Sequence, residues 1–175
     1  MFMRTGLVQI FTGDGKGKTT AAVGTIVRAL SHGLKVYVGV FMKGDVPSGE
    51  WTFLANQPGI KIERFGINSF VDPGRIKPEE REQAAKALKA AAAAVSSGDY
   101  DLVVLDEINV ALGWKLIPVE DVSKLIESKP PQVELILTGR RADNELVKRA
   151  DLVTEMLKIK HPYEKGIKAR EGIEF

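Results

Sequence analysis

The chain has 175 residues, 44% of them hydrophobic, which is enough to bury one sizeable core and too few for a second full domain, so a single domain over 1–175 is expected. Its 25 basic and 23 acidic residues leave a formal charge of +2, too balanced for a general nucleic-acid or membrane surface, so any anion site must be local. With no cysteine, disulfides, Cys-ligated zinc and thiol nucleophiles are excluded and the cytoplasm is the expected location.

The first apolar run, Leu7 to Phe11, reads as a strand feeding Thr12-Gly13-Asp14-Gly15-Lys16-Gly17-Lys18-Thr19-Thr20. Glycines alternating with other residues before Lys-Thr-Thr describe a P-loop, whose backbone amides converge on phosphate. Lys18 supplies a point charge, Thr19 offers a hydroxyl to Mg²⁺, and the following helix aims its positive N-terminus at the anion. The full motif begins with glycine, and here Thr12 takes that place. Ala21, Ala22, Val23, Ile26, Val27 and Leu30 follow at helical spacing, and the helix should stop near His32-Gly33.

Lys35 to Met42 predicts a buried parallel strand, completing a right-handed strand-helix-strand unit. Ligands of such sheets gather at the strand carboxyl ends, where Lys43-Gly44 and Pro47 to Glu50 stand. Spacing alone reads Lys43 as an ordinary solvated strand-end lysine. Ile60 to Phe65 is a short strand, followed by the loop Gly66 to Gly74, which contains Phe70 and fits no periodic pattern. Pro78-Glu79-Glu80 opens a long alanine-rich helix running to about Ser97.

Leu102 to Leu105 followed by Asp106-Glu107 is a strand ending in paired carboxylates, the Walker B pattern, for which Mg²⁺ on the loop's phosphates would be the counter-charge. Pro118 starts another helix. Val133 to Leu137 is a strand ending at Thr138-Gly139-Arg140-Arg141, where one guanidinium fork suits phosphate and the other is solvated. Asp143 or Asn144 caps a brief helix, Leu152 to Leu157 is a last strand, and His161 in the remaining segment reads as structural. The elements predict an α/β protein of P-loop NTPase type, with a mostly parallel central sheet and helices on both faces. No nucleophilic triad is present. A Mg²⁺–polyphosphate clamp serves either attack at the terminal phosphorus or displacement of the whole polyphosphate from the nucleotide's 5′ carbon, and the residues alone leave both open.

The motifs T-G-D-G-K-G-K-T-T-A-A at 12–22, F-M-K-G at 41–44, S-G-E at 48–50, L-D-E at 105–107, T-G-R at 138–140, A-D-L-V-T-E-M at 150–156, K-H-P-Y at 160–163 and the closing G-I-E-F together resemble the P-loop type of cob(I)alamin (corrinoid) adenosyltransferase. The resemblance implies transfer of the 5′-deoxyadenosyl group of ATP to Co(I) of a reduced corrinoid with release of triphosphate, a homodimer, and a flavoprotein-type electron donor. It assigns ATP to Gly13, Asp14, Gly15, Lys16, Gly17, Lys18, Thr19, Thr20 and Arg140, Mg²⁺ to Thr19, Glu107 and Asp106, and the chemistry to Lys18, Glu107 and Arg140. Members often carry an N-terminal extension over the corrinoid, whereas this sequence starts a few residues before its first strand, which leaves such a lid in question. They also commonly show a G-F-T-W-type aromatic loop, for which this chain offers Phe70 without the tryptophan. The competing readings are a P-loop ATPase or small-molecule kinase, which would cut the phosphate chain, and a nucleotide-dependent corrinoid-binding module, which would leave ATP intact.

Overall fold

The structure, a computed structural model, describes residues 5–44, 47–67 and 71–175. Among the described residues, proline-free stretches rich in β-branched and aliphatic side chains form six strands: β1 (Val8–Thr12), β2 (Val36–Val40), β3 (Ile60–Arg64), β4 (Leu102–Asp106), β5 (Glu134–Thr138) and β6 (Leu152–Glu155). All pair in parallel, in the order β3-β2-β4-β5-β1-β6. A parallel sheet must be covered on both faces, and the central β2 and β4 are buried at every position. On β4 the period-two alternation sends Leu102 and Val104 to one face and Val103 and Leu105 to the other.

One face is covered by α1 (Lys18–Ser31) and α2 (Gly49–Leu54), through Ala22, Ile26, Trp51 and Leu54. The other carries α3 (Pro78–Ser96), α4 (Ile108–Gly113), α5 (Val119–Ser128) and α6 (Asn144–Arg149). Along α3 the buried Ala84, Ala87, Ala91 and Ala94 recur at three- and four-residue spacing, so small side chains form the packing stripe. Its start is closed by Glu80, whose carboxylate accepts from the Lys77 amide at 2.7 Å. Asp143, one of the two residues expected to cap α6, does so by accepting from the Glu145 amide. Side chains such as Ile26 and Leu105, with no exposed surface, each contribute about 2 kcal/mol by burial.

Helices α2 and α4 were not expected, because six residues are too short to display a helical period. Strand β6 ends at Glu155, two residues short of the expected Leu152 to Leu157, and Met156 O accepts from the Gly15 amide of the phosphate loop. The strand order is what assembles a site. Because β5 lies between β1 and β4, and β2 lies beside β4, the carboxyl ends of four strands converge on one edge.

Candidate active site

The phosphate loop joins β1 to α1. Its glycines answer two demands. Gly13 and Gly17 take positive φ, 98° and 121°, which L side chains rarely adopt. The loop also rests on the chain after β6: the Gly15 amide donates to Met156 O at 2.7 Å, and a Cβ on Gly13 would lie 2.4 Å from that same carbonyl oxygen. Thr12, in the motif's first glycine position, is tied down instead, its hydroxyl accepting from the Ala142 amide at 3.1 Å. The Lys18 side chain folds into the loop and donates to Gly15 O at 2.6 Å. Burial, and next the Arg140 charge, pull its ammonium pKa down against the attraction of Glu107, Asp14 and Asp106.

Asp106, with no exposed surface, is the hub of the strand ends. Its Oδ1 accepts from the hydroxyls of Thr19 at 2.9 Å and Thr138 at 2.7 Å, and its Oδ2 accepts from Lys43 Nζ at 3.1 Å. Thr138 in turn accepts from the Glu107 amide at 3.0 Å, so one hydroxyl locks β4 to β5. Lys43 corrects the reading of a solvated lysine: it pairs with Asp106 and lies 3.8 Å from Glu107. Burial pulls the Lys43 ammonium down, but the two carboxylates outweigh it and the net shift is upward. Burial, and then the Asp106 charge, push the Glu107 carboxyl up against Lys43, Lys18 and Arg140. Met42, Glu107 and Arg141, each just past a strand carboxyl end, hold positive φ of 62°, 64° and 55°. Strain of this kind collects where side chains must be aimed.

Two cavities open at this edge. The first, about 570 Å³, is lined by the loop from Gly15 to Thr20 and by Lys43, Glu107, Arg140 and His161. The second, about 680 Å³, is mainly apolar, with Phe41, Met42, Val71, Val110 and Trp114 in its wall. Lys43, Glu50, Glu107, Arg140, Glu174 and Phe175 line both. A cavity with helix-terminal amides, three lysines and an arginine in its wall thus opens beside a mainly apolar one, with the carboxylates of Glu50, Glu107 and Glu174 bordering both.

Among known protein families, the one described as ATP:corrinoid adenosyltransferase BtuR/CobO/CobP matches residues 4–175. The chain belongs to the corrinoid adenosyltransferase family. Curated relatives named corrinoid adenosyltransferase include one from Sinorhizobium sp, 38% identical over 97% of this chain and 80% of the relative. Another, from Pseudomonas aeruginosa, is 36% identical over 97% and 84%. The Salmonella typhimurium protein named corrinoid adenosyltransferase CobA is 32% identical over 97% and 86%. The protein is therefore a transferase acting on ATP and a corrinoid.

The wall of the loop cavity includes Gly15, Lys16, Gly17, Lys18, Thr19, Thr20, Glu107 and Arg140. Gly13 packs beneath the loop and Asp106 behind it. Asp14 is exposed and outside both linings, as is Arg141, so Arg140 is the cavity-facing member of the arginine pair. Phe70 lies outside the described residues. His161 combines two positions: its Nδ1 accepts from the Tyr163 amide at 3.2 Å, capping the short 3-10 turn Pro162–Lys165, and it also lines the first cavity. Among the residues that sequence reasoning missed, Thr138 stood in the T-G-R motif without a role, and Glu50 stood in a stretch already placed at a strand end. Glu174 stood in the closing G-I-E-F motif without a role, and Trp114 had no comparable signal. No helix among the described residues is long and apolar enough to cross a membrane.

Proposed function

We propose that the triphosphate of ATP lies in the loop cavity and the corrinoid in the apolar cavity, with the nucleotide's 5′ carbon presented at the wall the two share. The observation that carries this reading is that shared wall: Lys43, Glu107 and Arg140 border both spaces, so a group held in one is exposed to attack from the other. Co(I) of the reduced corrinoid is itself the nucleophile. Its electron pair forms the carbon–cobalt bond as the C5′–oxygen bond breaks, and that bond's electrons leave on the triphosphate. The protein need only align the partners and stabilise the growing charge on the leaving group. Lys18, Arg140 and the amides of Gly15 to Thr20 do this. Lys43 holds the Asp106 carboxylate and offsets charge beside Glu107.

The donor set at the mouth of the loop, the Thr19 hydroxyl and the Glu107 carboxylate, is all oxygen and suits Mg²⁺. Both oxygens of Asp106 already accept hydrogen bonds, so Asp106 orients Thr19 and Lys43 behind that pair. Mg²⁺ held by Thr19 and Glu107 would supply further positive charge to the phosphates. Phe70 is assigned to the corrinoid in this reading by the family resemblance alone. The same reading takes a flavoprotein-type donor as the source of Co(I), a homodimer as the assembly and the cytoplasm as the setting.

Trp114→Ala tests the division of the site. Removing the indole should raise the KM for corrinoid about tenfold, an effect of the size expected for lost aromatic contact. KM for ATP should stay within twofold, and the melting temperature should confirm that the half-buried position still folds. An equal rise in both KM values would contradict separate cavities.

A further inference from the structure

Lys16 is placed unlike the other loop lysine. Its exposed side chain turns away from the loop, lying 3.0 Å from Glu174 Oε1 and donating to Ile173 O at 3.0 Å. The segment that receives it is a compact hairpin. Arg170 donates to the Glu174 carboxylate from its amide at 2.7 Å, from Nε at 3.1 Å and from Nη2 at 2.9 Å, and the Gly172 amide donates to Phe175 O at 2.9 Å. Gly172, Ile173, Glu174 and Phe175 line the loop cavity together with Val23 and Gly49. Ile173 and Phe175 are half exposed and add apolar surface to the wall beside Val23.

We propose that the hairpin 170–175 is the nucleoside-side wall of the active site and that the Lys16–Glu174 pair is the clasp that docks it. Lys16 is then a positioning residue for the wall and not a counter-charge for triphosphate. This rests on the reading that ATP occupies the loop cavity. Three observations separate the two roles. Lys18 already fills the phosphate end from inside the loop. The Lys16 charge is answered by Glu174, whose carboxyl the Arg170 and Lys16 hydrogen bonds hold well below the usual carboxylate range, so it stays ionised at neutral pH. Apolar Ile173 and Phe175 have nothing to offer a phosphate, yet suit the flat face of a purine. Because Glu174 and Phe175 also line the apolar cavity, the docked hairpin would hold the nucleoside against the second substrate.

The sign of one substitution decides between clasp and counter-charge. The variants are Glu174→Gln, Lys16→Met and the pair together, tested in the full chain for KM of ATP, for inhibition by inorganic triphosphate, and for tryptic cleavage after Arg170. A clasp predicts that each single change raises the KM for ATP about fivefold, the upper range for an exposed ion pair. The double change should be no worse than either single one, because both remove the same interaction. Cleavage after Arg170 should quicken, and the inhibition constant of inorganic triphosphate should not move. If Lys16 instead neutralises phosphate, Glu174→Gln frees it and lowers the KM for ATP, while Lys16→Met weakens triphosphate inhibition. Either result overturns the proposal, as does a KM that stays at its original value when cleavage quickens. Should inorganic triphosphate fail to inhibit even the unaltered enzyme, the placement of ATP in the loop cavity falls, a failure distinct from that of the clasp.

Discussion

The two cavities are built on opposite principles. The loop cavity takes its longest continuous stretch of wall from Gly15 to Thr20, and in the proposed reading this suits phosphate, which is bound by consecutive backbone amides and a helix N-terminus. The apolar cavity takes Phe41, Val71 and, from α4 and its end, Val110 and Trp114, three separate segments, and in the proposed reading this suits a large flat ligand, which needs area more than it needs direction. In the proposed reading, the polyphosphate site is therefore written along the chain and the macrocycle site only across it. Substitutions should divide accordingly: those in the loop act on ATP, those in the apolar wall act on corrinoid, and those in the shared wall act on both.

The largest effect is expected from Lys18→Ala, which should lower kcat/KM about a thousandfold by removing charge from the leaving group. Corrinoid binding should persist, and the fold should survive, since the ammonium's hydrogen bond is to Gly15 O within its own loop. Near-normal turnover at saturating ATP would remove Lys18 from the mechanism. Glu107→Gln comes next, with about a hundredfold loss, partial recovery at high Mg²⁺, and a rise in KM for both substrates because the residue borders both cavities. Activity that ignores divalent metal would break its assignment to Mg²⁺. The tenfold change expected for Trp114→Ala is the smallest of the three. Its restriction to corrinoid is what sharpens the contrast.

The same division explains what could be read from the sequence. The loop glycines, Lys18, Thr19, Asp106, Glu107 and Arg140 stand in short contiguous motifs, and the buried parallel strands stand in unbroken apolar runs. The sheet order does not. Lys43 looked solvated because nothing along the chain says that β2 lies beside β4, which alone brings it to Asp106. Thr138 acquires its role only once β5 is known to separate β1 from β4. Trp114 follows a six-residue helix too short to leave a period, and Glu174 lies 158 residues from the lysine it holds. The glycines at 13 and 15 suggest phosphate to a reader of the sequence, but nothing along the chain points to the Met156-Leu157 backbone against which they pack.

The central claim is that a nucleophile in the apolar cavity attacks C5′ and displaces an intact polyphosphate through the shared wall. Phosphorus NMR of the products, with ATP, Mg²⁺ and a chemically reduced corrinoid, tests it most directly. The account predicts inorganic triphosphate, formed in step with a light-sensitive carbon–cobalt bond and absent when the corrinoid is omitted. ADP with free phosphate or a phosphorylated acceptor as the main product would contradict it, because that outcome requires attack at the terminal phosphorus inside the loop cavity.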